Sequence, residues 1–295
     1  MSSTAESKRG TAATSYLFVA PLLLALVAFV AAPIVIGAAT AFESYRLADP
    51  VRVFAGWKNF AAIFTDPNFV SAIRFSIVFA VGCLVGEMVL GIALALLFER
   101  HFRGHRVLFT ITLFPIIVAP AFIATLWQLS LNSDSGIFGA LVARLGISSN
   151  LLGPSTVVPT LIMIDTLHWA PFVMIMVYAG LKSVPAELHE AAKIDGAGYW
   201  RTRCNIVAPY IAPILAVTMF LRVVDGLKTF DTIYILTGGG PGVSTMNINI
   251  YAYKQAFTNG NFGTSAATSL LFSVALVVLV PFVTRVLTPR KGGSR

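Results

Sequence analysis

From Gly10 to Phe42 the chain runs without a single charged residue. A backbone inside lipid must satisfy its own hydrogen bonds, and about 20 apolar residues in a helix cross the hydrocarbon core. Five further apolar runs follow. Phe75–Phe98 holds only Glu87, Val107–Ser133 holds no charge, and Leu145–Leu181 holds Asp165 and the titratable His168. Asn205–Leu221 is uncharged and continues into a charged half that reaches Leu236; Gln255–Thr284 is again uncharged. The expected fold class is therefore an all-α integral membrane protein with six transmembrane helices. Composition excludes the soluble alternative: the chain is 57% hydrophobic and 12% charged, against roughly 25% charged in ordinary soluble domains.

Lys8 and Arg9 precede the first run, as in a secretory signal, and Ala39-Thr40-Ala41 supplies a cleavage-like pattern after it. A signal core spans only about 7–15 residues, so the longer run reads as a retained helix. With the N-terminus inside, the inner segments hold Lys8, Arg9, Arg100, Arg103, Arg106, Lys182, Lys193, Arg201, Arg203, Arg285, Arg290, Lys291 and Arg295. The outer loops hold only Arg46, Arg52, Lys58, Arg74, Arg144 and Lys254. This bias places both termini in the cytoplasm. The net charge of +8 is then a record of topology and no sign of nucleic-acid binding.

The expected organisation is one membrane domain at 16–288, flanked by short cytoplasmic tails at 1–15 and 289–295, with a polar inner loop at about 182–209. In the loop from Glu43 to about Val70, the stretch Gly56–Phe64 has the spacing of an interfacial amphipathic helix, followed by Asp66-Pro67. Gly136–Gly146, with Ile137, Phe138, Leu141 and Leu145 on one side, reads as a second such element. Thr237–Gly263 reads as an outer loop rich in Gly and Asn. Gly82 and Gly86, with Gly91 further on, predict a close helix approach.

Cys83 falls in the second span and Cys204 in an inner loop, which makes neither a disulfide nor a metal site. His101 and His105 have helical ligand spacing, yet they sit among Arg100, Arg103 and Arg106 and read as solvated, lipid-facing charge. No metal site is expected.

Arg222, Asp225, Lys228 and Asp231 recur every three residues with alternating sign. Neighbours at that spacing can pair on a helix, and an unpaired charge at mid-bilayer costs about 2.5 kcal/mol or more. Either they line a polar path or its gate, or they form a structural ion-pair ladder, and the ladder is the plainer reading. Asp165 and His168 lie beside Trp169, a grouping that would suit a sugar ring or an interhelical hydrogen bond. Glu87 reads as an isolated buried hydrogen-bonder. Gln128, Asn247, Asn249 and Tyr251 are further polar candidates for a carbohydrate path, though no spacing selects them.

The segment Glu190–Pro209, EAAKIDGAGYWRTRCNIVAP, is polar and stranded between apolar runs. A short helix is predicted from Pro185 to Ile194, ending at Gly196 and Gly198. Pro185 and Glu187 suit its first turn. Leu188, Ala191 and Ala192 form a narrow stripe of little bulk, with Glu187, Glu190 and Lys193 beside it. Such a helix would either dock into a partner or rest on lipid headgroups.

This segment resembles the EAA loop of the permease subunits of bacterial binding-protein-dependent ABC importers. Glu190, Ala191, Ala192, Gly196, Ile206 and Pro209 fall at the pattern's places, while Ala208 replaces the usual Leu. Leu236-Thr237-Gly238-Gly239-Gly240-Pro241, preceded by Arg222, Asp225, Phe230 and Asp231, is similar to the carbohydrate-type permeases of the maltose and glycerol-phosphate kind. The resemblance implies the type I importer permease fold and a role as half of a path for a sugar, oligosaccharide, polyol or glycerol-phosphate-like solute. It implies that Glu187, Glu190, Ala191, Ala192, Asp195 and Gly196 contact a cytoplasmic ATPase, and that Gly196→Asp uncouples transport without loss of the protein. Thr237, Gly238, Gly239, Gly240 and Pro241 would face an extracytoplasmic solute-binding protein. Implied partners are a second permease, two ATPase subunits, the binding protein and the bilayer, in the bacterial inner membrane. No lysine follows a glycine as a P-loop requires, so ATP and Mg would be bound by the ATPase partner and no cofactor by this chain. An ion-coupled secondary transporter is the alternative, and it needs no EAA loop. An intramembrane hydrolase is disfavoured, because Asp165 and His168 form the lone acid–base pair.

Overall fold

The computed structural model describes residues 19–100, 102–132, 136–138, 144 and 150–287. The expected tails, His101, Leu141 and Leu145 lie outside these residues. The chain forms two compact units. One comprises the N-terminal part to Thr65 with Ala252–Leu271; the other comprises Asp66–Tyr251 with the residues from Phe272 onward.

The first unit opens with α1, Val19–Thr40, a fully apolar helix with a π-turn at Val27–Ala31. Two strands the sequence reading missed follow it: β1 at Glu43–Arg46 and β2 at Asp49–Phe54. They pair antiparallel, Glu43 opposite Phe54 and Arg46 opposite Asp49, with a register break between Ser44 and Arg46. The expected amphipathic helix is α2, Lys58–Thr65, burying Phe60 and Ile63. The Asn59 amide ties the unit together by donating to the carbonyls of Ala41 (2.8 Å) and Glu43 (2.9 Å). A Cβ at Gly263 would lie 2.3 Å from the Glu43 oxygen, so only glycine fits under the hairpin.

The second unit is built on α3, Pro67–Glu99, a 33-residue helix capped by Asp66, whose carboxylate accepts from the Asn68 N–H. It runs longer than the predicted Phe75–Phe98 because Asp66-Pro67 is a helix start rather than a loop end. Its partner is α6, Val157–Lys182. An added Cβ would stand 2.5 Å from Ile162 at Gly82 and 2.5 Å from Thr166 at Gly86. At Gly91 it would meet Val173 at 2.6 Å and the Ala170 carbonyl at 2.9 Å. The glycine spacing thus does what it predicted, and it does so within the chain.

The expected third span is broken. α4, His105–Ile117, and α5, Pro120–Ser130, meet at 98°. Val118 and Ala119 are extended (ψ 135° and 138°), because a residue ahead of proline is pushed out of the helical region. Five described helices are long and apolar enough to cross a bilayer, or six if this bent pair counts as one. The short α7, Ala186–Ile194, follows α6.

The expected fifth span is α8, Tyr199–Lys228, which carries a π-turn at Arg203–Val207. It stops at Lys228 instead of continuing to Leu236. Thr229 is extended (ψ 124°), and α9 restarts at Asp231 and ends at Thr237. The Gly- and Asn-rich segment that follows is partly helical too, with α10 at Ile248–Tyr253. The last described helix, α11, runs from Phe262 to Leu287.

Toward the α7 end, the core of the second unit is Ala95 and Phe98 of α3, Val173, Met174, Val177 and Leu181 of α6, and Val207 and Ile211 of α8. Burying such side chains from water is worth roughly 1.5–3 kcal/mol each in a soluble protein. In lipid that drive fades and close packing takes over, which is where the glycines matter.

Candidate functional site

Three helices of the second unit bring their charges to one point. Arg222 of α8 donates from Nε to Glu87 Oε2 at 2.6 Å and from Nη2 to Glu87 Oε1 at 2.8 Å. Its Nη1 donates to Asp225 at 3.3 Å, and Nη2 lies 3.6 Å from Asp165 Oδ2 in α6. The guanidinium also sits 4.5 Å from the centre of the Trp169 ring, and His168 stacks on that ring at 4.8 Å. Glu87, Asp165, His168 and Arg222 are all at most 2% exposed.

The fork-on-fork geometry is the strong form of an ion pair. It offsets a desolvation cost that would otherwise expel both charges. The cluster nevertheless holds three carboxylates around one guanidinium. Neither oxygen of Asp165 accepts a hydrogen bond among the described residues, and neither does His168 Nε2 find a partner there. Buried polar atoms are seldom left so.

Beside this cluster opens a cleft of about 250 Å³, lined by Pro120, Asp165, Trp169, Asp225, Lys228, Thr229, Phe230, Asp231 and Thr232. An aromatic ring, carboxylates and hydroxyls around one opening can receive a molecule with apolar faces and hydroxyl rims. Asp165 has acceptor capacity to spare for such hydroxyls.

Beyond the end of α6, α7 turns Leu188 and Ala192 toward the core; Ala192 is 2% exposed. Glu187, Glu190, Ala191 and Asp195 face outward, and Ile194 is 86% exposed. Gly196 ends the helix at φ +68°, with nothing within 4 Å of an added Cβ. Past it, Arg203 pairs with Glu99 of α3 and lies over the Tyr199 ring at 5.1 Å.

Residues 87–293 match the family described as the binding-protein-dependent transport system inner membrane component. The chain belongs to this family, the permease subunits of ABC importers. It is 31% identical to the trehalose/maltose transport system permease protein MalF of Thermococcus litoralis over 276 residues, 93% of each chain. It is 29% identical to the sn-glycerol-3-phosphate transport system permease protein UgpA of Rhizobium meliloti, over 93% of this chain and 94% of that one. Its fold matches a solved bacterial ABC transporter involved in import of the acidic polysaccharide alginate, with TM-score 0.84 at 22% identity, covering 96% and 98% of the two chains. The type I importer permease fold follows from that match.

In the permease, Asp165, Trp169, Asp225 and Asp231 come together at the cleft, with Arg222 and His168 packed behind it. The four-membered ladder does not form. Arg222–Asp225 is its one rung, and the helix break at Thr229 removes Asp231 from the series. Asn247, Asn249 and Tyr251 each make a structural hydrogen bond away from the cleft. Asn247 donates to the Thr229 carbonyl, Asn249 to that of Leu227 at 3.2 Å, and the Tyr251 hydroxyl to Asp66 at 2.8 Å. They anchor the end of α8 and the start of α3. Gln128 likewise donates to the Ile235 carbonyl at 2.9 Å.

The Thr237–Pro241 loop is knitted internally. Thr245 Oγ1 lies 2.6 Å from the Gly240 carbonyl and 2.8 Å from Thr237 Oγ1, and Gly238 and Gly239 take φ of +59° and +91°.

Sequence reasoning missed the role of Glu87. The available signal was that one span carried a lone acid and another an arginine. The i, i+3 spacing around Arg222 pointed instead to partners on its own helix. Ala192 is the other correction: it belongs to the inner face of α7, while Ile194 takes the outward place.

Proposed function

We propose that this permease forms half of the translocation path for a neutral or phosphorylated carbohydrate-like solute, with the Asp165–Trp169–Asp225–Asp231 cleft as part of that path. The names of its relatives support a sugar class: trehalose/maltose, starch degradation products and glycerol 3-phosphate all occur among them. Movement would be driven through α7 by two separate cytoplasmic ATPase subunits, which bind ATP and Mg. The observation that carries this reading is the two-sided character of α7. Its inner face is locked to the core that also holds α3, α6 and α8, and its outer face offers Glu187, Glu190, Ala191 and Ile194 to a partner. A push on that face would be transmitted to the helices that hold the buried charges. A second permease would complete the path. The Thr237–Pro241 loop would meet an extracytoplasmic binding protein; a fold relative, a bacterial alginate ABC transporter, is solved in complex with an alginate pentasaccharide-bound periplasmic protein. The basic bias of the inner segments supports both termini in the cytoplasm.

The test is to purify the tagged chain from its native membranes in mild detergent and identify what stays bound by mass spectrometry. A P-loop ATPase and a second EAA-bearing permease are expected. Recovery of this chain alone, active in proteoliposomes under an ion gradient without ATP, would overturn the reading.

A further inference from the structure

The hairpin of the first unit carries a charge pattern that runs against the positive-inside bias. Arg46, Arg52 and Lys58 lie within thirteen residues, half of all the basic residues assigned to the outer side. Their depth is fixed by the helices that hold them. α1 ends at Thr40 and β1 opens at Glu43. Arg46 bridges to Asn261, the Leu47 N–H donates to the Gly260 carbonyl at 2.7 Å, and Tyr45 stacks on Phe262, the first residue of α11, at 5.1 Å. The hairpin is thus pinned to the ends of two helices apolar enough to cross a bilayer, and the end of such a helix is where lipid headgroups would begin.

At that level its surface is mixed in a specific way. Phe54 is 79% and Trp57 71% exposed, positions that suit an interfacial aromatic belt and not open water. Arg52 is occupied, 3.9 Å from Glu43 and over the Tyr45 ring at 4.5 Å. Arg46 and Lys58 are not: among the described residues no carboxylate comes within 4.0 Å of either. Both line a cleft of about 440 Å³, with Ser44 and Asn59 on its polar side and Val53 and Phe54 on its apolar side. Two unpaired cations beside an apolar wall match a molecule with a phosphodiester at one end and methylenes at the other.

We propose that this cleft is a binding site for an anionic phospholipid. Its phosphodiester sits between Arg46 and Lys58, and its glycerol and first acyl carbons lie against Val53 and Phe54. Each cation near an anionic headgroup surface is worth roughly a fivefold gain in binding. The site would hold the end of α1 against its own leaflet.

The test uses the full chain, with whatever subunits accompany it, in nanodiscs of phosphatidylcholine containing a minor fraction of phosphatidylglycerol. After transfer to detergent and washing, the lipid retained per chain is measured by mass spectrometry. The wild type should keep phosphatidylglycerol well above its share, and Arg46→Gln/Lys58→Gln should lower that retention about 25-fold while phosphatidylcholine stays unchanged. Lys193→Gln, on α7, should leave both unchanged. Equal retention by wild type and double variant would overturn the proposal. So would a double variant that keeps its lipid and instead loses a co-purifying solute-binding protein, which would make the surface a protein dock. Should the double variant fail to assemble, Lys58→Gln alone, at an exposed helix start, gives the same readout with about a fivefold loss.

Discussion

Arg222 grips both carboxylate oxygens of Glu87 across the α3–α8 contact, at 2.6 and 2.8 Å, from positions 135 residues apart in the chain. The pair closes a helix triple that nothing local in the sequence would assemble.

Removing one member should therefore cost far more than removing both. Arg222→Leu leaves Glu87 and Asp165 buried with no neutralising charge, and a loss of about 3–5 kcal/mol is expected. Glu87→Leu/Arg222→Met should recover much of it, with Asp165 as the remaining liability. Unfolding in detergent, followed as a double-mutant cycle, measures the coupling; additive losses would argue against the pair.

The glycine groove of α3 makes a sharper steric prediction. Gly91→Leu has to displace Val173 and the Ala170 carbonyl, and backbone does not give way cheaply. Overpacking of this kind costs about 1–3 kcal/mol or more. Gly37→Leu in α1, where nothing lies within 4 Å, should leave the folded yield unchanged. Fluorescence-detected size-exclusion of the two variants separates them.

Gly196 and Gly198 form a natural control pair at the end of α7. Neither has an atom within 4 Å of an added Cβ, but Gly196 has φ +68° and Gly198 φ −67°. Gly196→Val should strain the turn by about 1–2 kcal/mol and depress ATP-driven uptake. Gly198→Val should do neither, and both proteins should reach the membrane in normal amount. Equal uptake by the two would remove the turn from the coupling path.

Opposite faces of α7 should fail differently. Ala192→Glu drives a charge into the contact with the core and should lower the melting temperature of the isolated permease. Glu190→Ala changes a water-facing carboxylate and should leave melting unchanged while weakening retention of the ATPase. A thermal melt alongside a pull-down reads both outcomes.

Much of this architecture is written in single-helix terms, and that part was legible. Uncharged runs announce spans because lipid forbids an unsatisfied backbone, Gly82 and Gly86 announce a close helix, and Pro185 with Gly196 brackets α7. What escaped was decided by contacts between distant segments. Glu87 looked isolated because its partner is in α8. The charged series after Arg222 looked continuous because periodicity does not register the break at Thr229, where Asn247 and Asn249 take up the carbonyls of Thr229 and Leu227. The hairpin at Glu43–Phe54 escaped because its strands are short and interrupted by Pro50, and because the carbonyls that fix it are bound by Asn59 and overlie Gly263.

The right-angled elbow between α4 and α5 has a consequence for what a solute would meet. At Val118 and Ala119 the chain leaves the helix ahead of Pro120, and Pro120 at the bend lines the same cleft as Asp165. A wall set by a proline bend belongs to the main chain, and substitution of a neighbouring side chain does not erase it. The curvature of that wall would then limit the shape of what fits beside Asp165, whatever hydrogen bonds the surrounding side chains offer.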